Sequence, residues 1–118
     1  MPSLNTFGAI LTYTIELEKQ VQGYYQSMGK EDLAQEADKR RDRLERVRRE
    51  NVVEITLEPI DGLDEANYDF DFNDASEAGQ KKIAQEATRL YEEVAEKINV
   101  RQAQRMLERC GSEYAELI

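Results

Sequence analysis

The sequence predicts an all-α fold, a four-helix bundle in which two helical hairpins are joined by a long, partly β crossover between helices two and three. Three observations predict it. Apolar residues recur at steps of three and four over four separate stretches, which is the spacing of one face of an α-helix. The two prolines, at positions 2 and 59, leave those stretches uninterrupted. Between the second and third stretches, apolar and polar residues instead alternate, which is the period of a strand.

The first hairpin consists of helices predicted at about residues 8–28 and 31–51. Helix one carries a narrow apolar stripe of the kind that packs lengthwise against other helices. The stripe is formed by Ile10, Thr14, Leu17, Val21, Tyr24 and Met28. Gly29 is a typical helix stop, and the acidic residues that follow it are typical of a helix start. Because the turn is short, we expect helix two to run antiparallel to helix one.

The second hairpin consists of helices predicted at about residues 76–98 and 100–117. Helix three follows Ser76, and Asn99 marks a tight turn between the two helices. Apolar side chains again recur at helical spacing. They are Ile83, Ala87, Leu90 and Val94 in helix three, and Val100, Ala103, Leu107, Cys110, Tyr114 and Leu117 in helix four.

The crossover, residues 52–75, is predicted to contain one or two short strands. Residues 53–57 alternate Val, Ile and Leu with Glu and Thr, and residues 68–73 alternate aromatic side chains with Asp and Asn. Such alternation places apolar and polar side chains on opposite faces of a strand. The stretch from Pro59 to Gly62 supplies a turn after the first of these runs.

The acidic residues of the crossover also invite comparison with a calcium loop. Asp69, Asp71 and Asn73 have the right spacing, but an EF-hand requires Gly at the sixth position and Glu at the twelfth. This chain has Asp74 and Gln80 there. We therefore interpret these carboxylates as the solvent face of a strand.

Composition favours a single cytoplasmic domain, residues 1–118, and excludes several kinds of site. The chain has no His and one Cys, which excludes a histidine base, an intrachain disulfide and a multi-cysteine zinc site. Its 16 basic and 25 acidic residues give a net charge of −9, which disfavours general binding to nucleic acids or anionic membranes. No apolar run is long enough to cross a membrane, and the first eight residues lack the basic start of a signal peptide.

Helix one resembles the first helix of the rubrerythrin-like branch of the ferritin-like superfamily. The similar residues are Ile15-Glu16-Leu17-Glu18-Lys19-Gln20-Val21-Gln22-Gly23-Tyr24-Tyr25. They contain a Glu, an apolar residue three positions on, and an aromatic pair three and four positions beyond that. Residues 84–93 of helix three repeat part of this pattern, so the chain also resembles an internal duplication of one helical hairpin.

The resemblance implies a bundle whose metal site has been lost. In that family two metals lie in the core, held by one Glu from each of two helices and by Glu-x-x-His from the other two. Of these positions only Glu18 keeps its ligand. The others hold Ala37, Arg40, Ala84, Gly111 and Tyr114. One alternative remains, an iron or manganese site made only of carboxylates, built from Glu18, Glu36 and Glu86 across subunits.

Glu18 and Arg40 are the two charged residues that helical spacing places on the core side of the first hairpin. We predict that they form an ion pair there, in which Arg40 supplies the positive charge that a metal would otherwise supply. The alternative is that Arg40 extends along the helix to solvent and Glu18 is hydrated. Replacement of Arg40 by Leu distinguishes the two interpretations.

Helix two also has a basic surface in an otherwise acidic chain. Residues 39–49 include seven basic and two acidic side chains, whereas residues 61–77 include seven acids and no Lys or Arg. The predicted basic surface consists of Lys39, Arg41, Arg43, Arg46, Arg48 and Arg49. It complements the acidic segment within the chain or across a homodimer. Its alternative partner is a nucleic acid, which the acidic remainder of the chain would repel.

These observations predict a metal-free, ferritin-like protein that acts as a non-enzymatic interaction or scaffold protein. We expect it to form a homodimer or a larger homo-oligomer, and to bind a protein partner. The first alternative is an iron- or redox-handling protein with a carboxylate-only site around Glu18, which as an enzyme would be a metal-dependent oxidase. The second is a nucleic-acid-associated regulator that uses the basic surface of residues 39–49.

Overall fold

The computed structural model describes residues 3–51 and 59–118 of the chain. The predicted all-α class with four helices is confirmed, and each helix begins and ends within two residues of its predicted bounds. The helices are α1 (Phe7–Ser27), α2 (Glu31–Glu50), α3 (Glu77–Lys97) and α4 (Arg101–Ala115), with a short 3-10 helix at Glu65–Asn67. No helix in the described part of the chain is long and apolar enough to cross a bilayer.

The chain divides into two compact units, Met1–Gly62 and Leu63–Ile118. In the first unit α1 packs against α2. Thr6 caps the start of α1 because its Oγ1 accepts a hydrogen bond from the N–H of Ala9 (3.0 Å). The turn between the helices depends on Gly29, which has a φ of +72° that a residue with a Cβ rarely adopts.

In the second unit α3 packs against α4. Ser76 caps α3 by accepting a hydrogen bond from the N–H of Gly79 (3.1 Å). Asp74 in turn accepts hydrogen bonds from the N–H (3.0 Å) and the hydroxyl (2.6 Å) of Ser76. These hydrogen bonds from Ser76 lower the pKa of Asp74 from its ordinary value.

The partly β crossover is not supported. The predicted strand at 53–57 lies outside the described residues, and the one at 68–73 is wrong because the structure has no strand there. Local hydrogen bonds replace the pairing that a strand would need. One of them joins the N–H of Asn73 to the side chain of Asp71 (3.0 Å), an Asx turn. Among the described residues, β pairing consists of a single antiparallel bridge between Thr6 and Pro59.

The segment before α3 is held by side chains instead of by a strand. Tyr68 is buried, and its hydroxyl donates a hydrogen bond to Glu93 on α3. The guanidinium of Arg89 lies over the Tyr68 ring, 4.6 Å from its centroid, in a cation–π contact. Glu86 accepts a hydrogen bond from the N–H of Asp69 (3.3 Å). The alternation of aromatic and acidic residues therefore reflects a segment anchored on α3.

Candidate functional site: a buried ion pair

Glu18 on α1 and Arg40 on α2 form an ion pair in the core of the first unit. The Nε of Arg40 donates to Oε1 of Glu18 over 2.8 Å, and the two side chains are 2% and 0% exposed. Each residue lies 11 positions from Gly29, since 29 − 18 and 40 − 29 are both 11. A tight antiparallel hairpin therefore brings them opposite each other. Arg40 does not extend to solvent.

Tyr25 lies on the same face of α1 as Glu18, two helical turns further along, and is also buried. Its burial raises the pKa of the phenol above the ordinary value of 10.0, the positive charge of Arg40 lowers it, and the negative charge of Glu18 raises it. The hydroxyl is thus within electrostatic reach of both charges. It stays protonated at neutral pH and keeps its capacity to donate a hydrogen bond.

The second unit has an aromatic pair where the first unit has the ion pair. An offset of 66 residues relates Glu18 and Tyr25 of α1 to Ala84 and Tyr91 of α3, and an offset of 74 relates Arg40 to Tyr114. The rings of Tyr91 and Tyr114 stack, with centroids 5.9 Å apart and planes inclined by 17°. A charged pair in one hairpin thus corresponds to Ala plus a stacked tyrosine in the other.

Gly111 lies close to this tyrosine stack. A Cβ added at position 111 would lie 3.1 Å from the Cβ of Tyr91, tighter than an ordinary contact. The absence of a side chain at Gly111 allows α3 and α4 to approach closely beside Tyr114. Tyr114 belongs to the predicted apolar stripe of helix four and Tyr91 to the repeated segment of helix three, but helical spacing did not predict the stack. The available signal in the sequence for this close approach was Gly111, three positions before Tyr114.

The other predicted metal-ligand positions do not form a metal centre in the structure. Glu36 is exposed and lies 3.5 Å from the ammonium of Lys39. Glu86 is engaged by the guanidinium of Arg89 (2.9 Å) and, as described above, by a backbone N–H. No three His, Cys, Asp or Glu side chains come together as potential metal ligands anywhere in residues 3–51 and 59–118.

The donor chemistry at the family positions does not fit a dimetal centre either. Ala37, Ala84 and Gly111 carry no donor atom on their side chains, and a cationic guanidinium occupies the place of a neutral histidine nitrogen at Arg40. The carboxylate of Glu18 is bonded to that guanidinium.

Comparison with known proteins gives no further assignment. No protein-family model, curated protein or solved structure matches this chain. The similarity of helix one to the rubrerythrin-like pattern therefore remains a resemblance in residues 15–25. Conclusions about function depend on the chain's own geometry and charge.

The predicted basic surface of α2 is only partly neutralised. Arg41 is paired with Asp38 and with Glu45 (3.3 Å) on its own helix. Lys39 is paired with Glu36, as described above, and Arg43 is half-buried. The remaining three members are exposed, and no ion pair joins them to other residues that the structure describes. They are Arg46, Arg48 and Arg49.

Proposed function

We propose that this chain is a metal-free, ferritin-like four-helix bundle that acts as a non-enzymatic interaction or scaffold protein in the cytoplasm. The buried pair of Glu18 and Arg40 carries the proposal. A lone carboxylate in a helical core requires a compensating charge, which in a dimetal protein comes from the metal. Here the guanidinium of Arg40 provides that charge from within the chain.

Burial of the pair also favours a structural role over a catalytic one. A catalytic acid or base must come within hydrogen-bond reach of its substrate. Side chains that are 0% and 2% exposed offer no surface to a substrate from solvent. The helices also expose charged faces, which are suited to contacts with other macromolecules.

Metal analysis tests the proposal. We would purify untagged protein without chelator, load it anaerobically with ferrous iron, and measure bound iron and manganese. We expect substoichiometric metal in the wild type, in Glu18→Ala and in a matched control, Glu31→Ala, which removes an exposed carboxylate outside the candidate ligand set.

About two metal ions per chain, or per dimer interface, that are lost in Glu18→Ala and kept in the control would overturn the proposal. That result would support the carboxylate-only site, with Arg40 displaced from Glu18. Oxidase and peroxide assays would then follow.

A further inference from the structure

One face of α2 carries four basic side chains in a row, at positions that share the outer side of the helix. We name this the basic stripe; it consists of Lys39, Arg43, Arg46 and Arg49. It lies opposite the side of α2 that buries Ala37 and Leu44. Arg46 and Arg49, one turn apart, are exposed and have no ion-pair partner in the described part of the chain.

A groove between α3 and α4 has the complementary charge. Its volume is about 420 Å³, and we name it the acidic groove. It is lined by Glu92, Glu93, Ala95, Glu96, Gln104 and Glu108. Gln104 donates a hydrogen bond to the carbonyl of Ala95 (3.0 Å) and so links the two walls. Glu92, Glu96 and Glu108 are exposed and make no ion pair within the residues that the structure describes.

The spacing of charges in the two surfaces is similar. Glu92 and Glu96 are four residues apart on α3, an arrangement in which like charges repel each other. Arg46 and Arg49 are likewise one helical turn apart on α2. A guanidinium fits a carboxylate with two parallel hydrogen bonds, so two arginines one turn apart can each engage one of the two glutamates.

We propose that a second copy of this chain binds the basic stripe of α2 through the acidic groove of its α3–α4 hairpin. The inference rests on the proposed interaction function and names its partner. Because each copy carries both surfaces, the copies join head to tail. Each contact relieves the repulsion between Glu92 and Glu96 and neutralises Arg46 and Arg49.

The local arrangement of charge favours a second copy over a nucleic acid. The net charge of −9 repels both partners, but the acidic groove is present in every copy and carries its carboxylates at a spacing similar to that of Arg46 and Arg49. The basic stripe is also interrupted by Asp42, an exposed carboxylate on the same face of α2. The proposed contact uses only Arg46 and Arg49, whereas a continuous phosphate backbone would also run past Asp42.

Charge reversal in sedimentation velocity experiments tests the proposal. We expect the wild type to associate at about 20 mM NaCl and to dissociate at about 500 mM, because salt screens exposed charges. Arg46→Glu with Arg49→Glu, or Glu92→Arg with Glu96→Arg, should each weaken self-association about tenfold or more. A mixture of these two double variants should form a dimer, since one keeps the groove and the other keeps the stripe.

The matched control is Lys81→Glu with Lys82→Glu, which makes the same charge change at two exposed positions at the start of α3. It should associate as the wild type does. A monomeric wild type at low salt, reversed variants that associate normally, or a mixture that stays monomeric would each overturn the proposal. Binding of monomeric wild type to immobilised duplex DNA would also overturn it, if that binding is lost in Arg46→Glu with Arg49→Glu.

The two proposals have separate readouts. Failure to associate would leave the metal content unchanged and the metal-free core in place. Stoichiometric metal in a protein that self-associates would overturn the proposed metal-free core and leave the proposed self-association in place. Circular dichroism of each variant shows whether it is folded before it is compared.

Discussion

Burial removes water from the charges of Glu18 and Arg40, so each side chain depends on the other for compensation. The desolvation of two ions cancels much of the attraction between them, and a buried pair is weak grounds for high stability. Loss of one partner is strongly destabilising, because it leaves the other charge in the core without water or counter-charge. The pair therefore makes the first hairpin sensitive to single substitutions at two positions.

Arg40→Leu is expected to lower the free energy of unfolding by about 3–5 kcal/mol, because Glu18 would stay behind as an uncompensated buried carboxylate. Replacing both Glu18 and Arg40 with Leu should cost far less than either single replacement, because no uncompensated charge then remains in the core. Urea denaturation of the wild type, Arg40→Leu, Glu18→Leu and the double variant gives the coupling free energy between the two positions directly.

The control for Arg40→Leu is Arg48→Leu on the same helix. Arg48 is exposed and lies outside the basic stripe, so its loss should change the free energy of unfolding by less than about 0.5 kcal/mol. Equal effects at the two positions would contradict the importance of the buried pair. So would a coupling free energy close to zero between positions 18 and 40.

Helical spacing was sufficient to place Glu18 and Arg40 on the core side of adjacent helices, and the central Gly29 places them opposite each other. Spacing could not decide whether Arg40 turns inward. The period fixes the direction of the Cα–Cβ bond, whereas a long arginine side chain can follow it into the core or bend toward water. The stack of Tyr91 on Tyr114 is another such case, because ring orientation depends on the close helix approach at Gly111.

At the scale of elements, helices were predictable because their hydrogen bonds and capping signals are local. Ser76 accepts its capping bond from a residue only three positions away. A strand depends on a partner from elsewhere in the chain, and alternation alone does not supply one. Tyr68 shows the outcome: the residue is buried, as alternation predicts, but it is anchored by Glu93 and Arg89 on α3.

Two glycines within helices should respond in opposite ways to substitution by alanine. A Cβ at Gly79 would overlap both the side chain and the carbonyl oxygen of Asp74, which cannot move without disturbing the cap of α3. Overpacking should outweigh the helix propensity of alanine, so Gly79→Ala is expected to destabilise the protein by about 1–3 kcal/mol. Thermal denaturation followed by circular dichroism measures the effect.

Gly23→Ala is the matched variant in α1. Its added Cβ would have no neighbouring atom within 4 Å, so the gain in helix propensity is unopposed. We expect a stabilisation of about 0.5–1 kcal/mol. Stabilisation at both glycines would contradict the close packing of Asp74 against Gly79.

At the scale of the whole molecule, the two hairpins are similar in plan but differ in how their cores are completed. Glu18 and Arg40 are charged, whereas the corresponding Ala84 and Tyr114 are neutral. Narrow apolar stripes on four helices suggested the bundle from sequence, because one hairpin buries only part of such a stripe. In the proposed four-helix bundle the two hairpins share one core, and elements that share a core unfold together.

Substitutions in the two hairpins should therefore shift one common unfolding transition. Arg40→Leu alters α2, and Leu107→Ala removes a fully buried side chain from α4 at an expected cost of about 2–5 kcal/mol. Urea denaturation followed by far-UV circular dichroism and by tyrosine fluorescence should give coincident curves for the wild type. Each variant should move the entire curve to lower urea with its slope unchanged. Two separate transitions, each sensitive to only one of the substitutions, would mean that the hairpins are independent domains, because a defect in one core would then leave the other intact.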